Sequence, residues 1–124
     1  MAGTLTISTL SDGTNSTSST NCIQGSAKAW VNWSGATGTI NASYNVSSVT
    51  RSGTGVYVVN FTNAFADTRY VLSGFGEWPT GTTALAWITF GGDSAKLAGS
   101  CKINAFYTVA NAYDPLTMGI VAFR

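Results

Sequence analysis

The chain has 124 residues, a net charge of +1 and only 9% charged residues, against about 25% in an ordinary globular domain. Its hydrophobic fraction is 44%, so Ser, Thr, Asn and Gly stand in for the missing charge, and the surface is either neutral and hydroxyl-rich or partly hidden in an assembly. Six scattered Lys and Arg residues exclude the clustered basic footprint of a nucleic-acid binder, and no apolar run approaches the roughly 18 residues of a membrane span.

In chain order, Thr4–Thr9 (TLTIST) reads as a short alternating strand. Leu10–Asn21 is polar and low in complexity, and reads as an arm or linker. Ser26–Trp33 (SAKAWVNW) is the first strong strand. Thr39–Val46 (TINASYNV) follows, with Ile40, Ala42, Tyr44 and Val46 on one face. Arg51–Gly55 is a hairpin turn by its glycines, and Val56–Phe61 returns with Tyr57, Val59 and Phe61 on one face. Arg69–Gly76, Ala84–Gly91, Cys101–Val109 and Leu116–Arg124 are further strands, joined by polar loops. No helix is expected, because glycines and β-branched residues favour strands and turns. The expectation is an all-β antiparallel β-sandwich, a jelly-roll-like knob of about seven or eight strands spanning 26–124, preceded by an N-terminal strand and polar arm over 1–25.

Several strands are apolar on both faces. Alternation sends Trp30 and Trp33 to opposite sides of one sheet. Ala29, Val31 and Trp33 form the more apolar side, so Trp33 is assigned to the core. Trp30 shares its face with Lys28 and Asn32, and is assigned to a subunit interface together with Leu85 and Trp87. Two-sided strands and low charge both suit an oligomer, since charged residues are depleted in interface cores.

Candidate chemistry is sparse. The absence of histidine removes Ser–His and Cys–His nucleophile pairs. Cys22 and Cys101 are too few for a disulfide scaffold or a zinc site, and read as one surface and one buried thiol. The five acids are Asp12, Asp67, Glu77, Asp93 and Asp114. A glycosidase needs two carboxylates, and Asp12 with Asp93 could join a calcium site. The favoured reading is that these acids cap turns and pair with Arg or Lys. No catalytic residue, metal or cofactor is expected. Trp78 in EWPTG and Tyr113 in ANAYDP lie at turns, where amphipathic rings suit sugar or protein contacts; they are the candidate receptor-binding residues.

Several short stretches carry a family likeness. They are Lys28-Ala29-Trp30-Val31-Asn32, Asn45–Ser48, Gly55-x-Tyr57-x-Val59-x-Phe61, Asp67-x-x-Tyr70 and Ala122-Phe123-Arg124. Over about Gly25–Arg124 the chain resembles the β-rich tip module of tailed-bacteriophage fibres and small virion proteins, of the cyanophage and marine-phage type. Trp33 stands where that family often has Phe. The resemblance implies a trimeric, non-enzymatic protein on the virion surface, tail or capsid, assembled in the host cytoplasm. It further implies attachment to a host surface glycan or protein. The alternative is capsid decoration without receptor binding. The arm ahead of Ser26 would then serve virion attachment, meeting other virion proteins, or subunit exchange, and Thr4–Thr9 could add a strand to a neighbouring sheet edge. No membrane insertion is expected.

Overall fold

The structure, a computed structural model, describes residues 3–78, 87–90, 95–108 and 111–124. It is mostly β, and every strand pairing among the described residues is antiparallel. At the N-terminus, β1 (Thr9–Ser11) and β2 (Ser16–Ser18) form a hairpin, and α1 (Ser19–Gly25) follows. One sheet takes β4 (Ile40–Tyr44), β3 (Ala27–Ser34), β12 (Thr117–Phe123) and β7 (Val71–Glu77), in that spatial order. The other runs β11 (Asn111–Ala112), β10 (Ser100–Thr108), β6 (Val56–Phe61), β5 (Val46–Gly53); β8 (Trp87–Phe90) and β9 (Lys96–Leu97) also pair with β10.

Both sheets turn apolar side chains into one core. Ala29, Val31, Trp33, Met118, Ile120 and Ala122 enter from the first sheet. Tyr57, Val59, Phe61, Cys101, Ile103 and Ala105 enter from the second. The strand period of two explains the choice of side chains, since each set is spaced by two residues. Trp33 is fully buried, with its ring edge-on to Tyr57 at 5.7 Å. Its Nε1 finds no hydrogen-bond partner among the described residues, a cost of about 1–3 kcal/mol that the packing of the ring must exceed. Phe65 and Tyr70 close one end of the core, stacked at 4.5 Å. The Tyr70 hydroxyl donates to the carbonyls of Leu97 and Ser100.

Three expectations require correction. First, residues 19–25 are helical. Ser18 caps α1 by accepting a hydrogen bond from Asn21 N at 3.2 Å, and local capping of this kind can start a short helix in a polar run. Second, residues 4–8 lie outside any strand, and pairing begins only at Thr9, where Ser18 lies opposite. Third, Thr39–Val46 is two strands in two different sheets. The break is Asn45, whose backbone has φ 55°, a left-handed conformation that Asn tolerates better than most residues. Its amide Nδ2 donates to the carbonyls of Lys28 and Asn63, and its Oδ1 accepts from Asn63 N at 2.8 Å. The corner therefore carries the chain from one sheet to the other, and opens β5 as a strand of its own.

The two tryptophans of β3 separate as the alternation requires: Trp33 is 0% exposed and Trp30 is 41% exposed. Trp33→Ala should lower unfolding stability by about 3–5 kcal/mol, while Trp30→Ala should stay within about 1 kcal/mol in monomer stability. Urea titrations of both variants at low concentration check this. The thiols separate likewise. Cys101 is buried, with its pKa pushed up to about 12 by loss of hydration, and Cys22 is half-exposed. A thiol reagent should label one cysteine in the native protein and two in denaturant, with Cys22 as the native site by mass spectrometry.

Candidate functional site

Asp114 organises one end of the fold. Arg51 of β5 reaches it with both prongs of its guanidinium, Nε to Oδ1 at 3.0 Å and Nη2 to Oδ2 at 2.6 Å. Gly55 N, in the turn between β5 and β6, donates to Oδ1 at 2.9 Å. The Tyr57 hydroxyl lies 2.7 Å from Oδ1 and 2.8 Å from Gly35 O, so its single proton is shared between two acceptors. Burial by itself would raise the Asp114 pKa, but Arg51, Gly55 N and Tyr57 outweigh it and hold the carboxyl below its ordinary 3.8. Burial, then the hydrogen bond to Asp114, pushes the Tyr57 phenol above its ordinary value. Gly55 is required here: its φ is +66°, and a Cβ would come within 2.4 Å of Ala105 O.

This cluster sets the position of the neighbouring Tyr113. Tyr113 N donates to Ala105 O at 3.1 Å, and Leu116 N donates to Glu77 O at 2.9 Å. The segment before β12 is thereby tied beside the end of β7, where Trp78 follows. The two candidate receptor residues, 35 positions apart in sequence, are thus brought together. Their rings stack with centroids 4.1 Å apart and an interplanar angle of 28°. Both are half-buried, so each presents an edge and part of one face.

The second candidate surface is the outward face of the β4-β3-β12-β7 sheet. Trp30 stands opposite Tyr44 on one side and Val121 on the other. In the next row, Gly119 lies between Asn32 and Phe75. Gly119 forms the floor over which the Phe75 ring lies; a Cβ there would sit 2.4 Å from Phe75 Cε1. The result is a shallow groove of about 320 Å³ between Trp30 and Phe75, and no charged side chain lines it. Trp30, Tyr44, Val71 and Phe75 are all exposed. Lys28 shares this face, but its Nζ donates to Ile23 O and to Ser26 Oγ, which draws the charge to the edge. Leu85, assigned to the interface from sequence, lies outside the described residues, and Trp87 is described only as backbone of β8 pairing with Phe106.

Sequence reasoning missed Val71 and Phe75. Alternation along β7 puts Val71, Ser73 and Phe75 on one side and Leu72, Gly74 and Gly76 on the other. Alternation alone does not say which of the two sets faces outward. Register with β12 decides it, because Phe75 shares a row with Gly119 and Asn32.

Asp12, Asp67 and Asp114 act as turn or ion-pair residues. Asp12 accepts from Thr14 N and Asn15 N, Asp67 accepts from Arg69 N and pairs with Arg124 at 2.6 Å, and Asp114 pairs with Arg51. Asp93, the other half of the calcium idea, lies outside the described residues. Among the described residues no three of His, Cys, Asp and Glu cluster as metal ligands, and no helix is long and apolar enough to cross a membrane.

Asp114 gives a pH prediction. Its folded pKa is depressed, so its contribution to stability is fully present above 3.8 and is lost as pH falls below that value. Asp12 and Asp67 are depressed too and add to the same acid loss. Asp114→Asn should cost about 2–3 kcal/mol at pH 7 and should flatten, without abolishing, the fall in urea midpoint on acidification. An unchanged acid slope would remove Asp114 from this role.

No protein-family model, curated protein or solved structure matches this chain.

Proposed function

We propose that this chain is a non-enzymatic surface protein of a bacteriophage virion, a β-sandwich knob that assembles as a homotrimer and serves host-cell attachment. The observation that carries the assembly part is the outer face of the β4-β3-β12-β7 sheet, whose central groove is lined by no charged side chain. Single exposed apolar residues are ordinary, whereas a contiguous patch containing Trp, Tyr, Phe and Val is of the kind that often serves a contact. A second copy is the simplest cover for a face that repels no identical partner. Trp30 is its central residue; Trp87, grouped with it from sequence, lies on β8 of the other sheet and is not part of this face. The virion setting rests on the sequence resemblance, in which Lys28–Asn32 falls on the strand that bears Trp30.

Trp78 and Tyr113 are the proposed receptor contacts. The Asp114 cluster holds the pair in place, so little ordering is needed on binding, and a planar sugar or protein side chain could lie along the exposed edge of the stack. One observation favours capsid decoration as a second reading. The two rings face each other, which occupies one face of each that a sugar would otherwise stack upon.

Immunogold electron microscopy of purified particles, paired with adsorption competition, tests both readings. Gold at the tail together with inhibition of adsorption by micromolar purified protein is expected. Gold on the head lattice with no inhibition would replace attachment by decoration, and a virion free of label would remove the virion assignment.

A further inference from the structure

The N-terminal unit has no core of its own. Every residue of β1 and β2 is exposed, no residue of α1 is buried, and over residues 3–25 only Ser19 and Cys22 are even half-covered. Yet the unit is ordered locally by the β1–β2 pairing, the Ser18 cap and the Asp12 turn. Its apolar side chains converge. Leu5, Ile7, Leu10 and Ile23 surround one shallow hollow, with Leu5 82% and Ile23 64% exposed. An arm that gathers four aliphatic residues on one side and buries none of them is shaped to lie against something else.

We infer that residues 3–25 of one copy cover the Trp30–Phe75 groove of a second copy. The inference rests on the assembly reading above and names what covers the outer sheet face. Three arguments commit it to that occupant. The first is area. The exposed parts of Trp30, Tyr44, Val71 and Phe75 amount to roughly 400 Å², no more than the largest patch on a typical monomer. The four arm residues expose a similar area. Arm on face therefore removes about 800 Å² of apolar surface, which corresponds to roughly 1,400 Å² of total interface at the usual apolar share, inside the range of stable specific contacts. Face on face or arm on arm would supply the same apolar area, but would leave the other patch bare.

The second argument is charge. Asp12 is the one charged residue in 3–25, and it is turned to the backbone of its own turn by Thr14 N and Asn15 N. The groove itself is lined by no charged side chain. Neither surface brings a charge that docking would strand without water.

The third argument separates a second copy from the chain's own groove. Only Ser26 stands between α1 and β3. Ser26 N donates to Cys22 O, and Lys28 Nζ donates to Ile23 O and Ser26 Oγ. These bonds hold the helix at the start of β3. Folding the arm over Trp30, four residues past Ser26 on that same strand, would require the chain to reverse through this joint and break the bonds to Cys22 O and Ile23 O. A neighbour's groove requires no such change. Each copy gives an arm and receives one, so in the proposed trimer the arms would run head to tail around a closed ring.

Complementation tests the inference on the full chain. The arm variant Leu5→Ser/Leu10→Ser/Ile23→Ser keeps an intact face, and the face variant Trp30→Ser/Phe75→Ser keeps an intact arm. All five positions are exposed, and Phe75→Ser alone serves if the double face variant does not fold. By light scattering at tens of micromolar, the wild-type protein is expected as an oligomer of the 12.9 kDa chain. Each variant is expected as a monomer, with association weakened about 100-fold or more. An equimolar mixture is expected to form a one-to-one complex, because one good arm then meets one good face. An arm variant that keeps the wild-type mass, or a mixture that stays monomeric, overturns arm exchange while the oligomeric surface-protein reading stands. A wild-type chain that is monomeric throughout overturns arm exchange and the trimer together.

Discussion

The carboxylate of Asp114 is the constraint on which one end of the molecule depends. It accepts from a guanidinium on β5, a backbone amide in the β5–β6 turn and a phenol on β6. Four donor groups from three places converge on two oxygens. Removing the acceptor would leave Arg51 with only Thr54 Oγ1 and the buried Tyr57 hydroxyl with only Gly35 O, and would cost the guanidinium its one counter-charge in the cluster. The cluster fixes the segment 113–116 against Gly35 and Glu77. That in turn lets Tyr113 stack on Trp78. A site candidate made of two loop aromatics is thus held by an ion pair and a glycine turn rather than by the rings alone.

The residues that carry the phage resemblance are largely the ones that hold the fold. Asn45 turns the chain between sheets through its side-chain bonds to Lys28 and Asn63. Gly55 and Tyr57 belong to the Asp114 cluster, and Tyr57, Val59 and Phe61 are core. Asp67 pairs with Arg124, and Tyr70 is buried against Phe65. Trp30 and Asn32 are the members of those motifs that face outward near the groove. A likeness of this kind speaks mainly for architecture. The surfaces proposed to meet partners, the arm and the Trp30–Phe75 groove, draw mostly on residues outside the motifs.

The period of two along each strand was legible in the sequence, because alternation is a property of extended backbone alone. It placed Tyr57, Val59 and Phe61 together, and it split Trp33 from Trp30 correctly. The turn at Gly55 was legible from its glycines, although Arg51–Gly53 of the expected turn are strand, and the pairing of Asp67 and Asp114 with arginines fits the role expected of the acids. The helix at 19–25 was not legible. Its stability comes from one cap and a few local bonds, and its composition of Ser, Thr and Asn reads equally as linker.

What the sequence by itself determined was an all-β chain with its apolar residues in strand-spaced sets and few charges. What only the tertiary structure decided was partnership across distance. Trp78 meets Tyr113 because β7 and the segment before β12 end side by side. Arg51 meets Asp114 across 63 positions. Phe75 faces outward because Gly119, beside it in the register, offers a floor for its ring and no side chain to oppose it. Alternation says which residues share a face. Register and the packing of one sheet on the other decide which face is left uncovered.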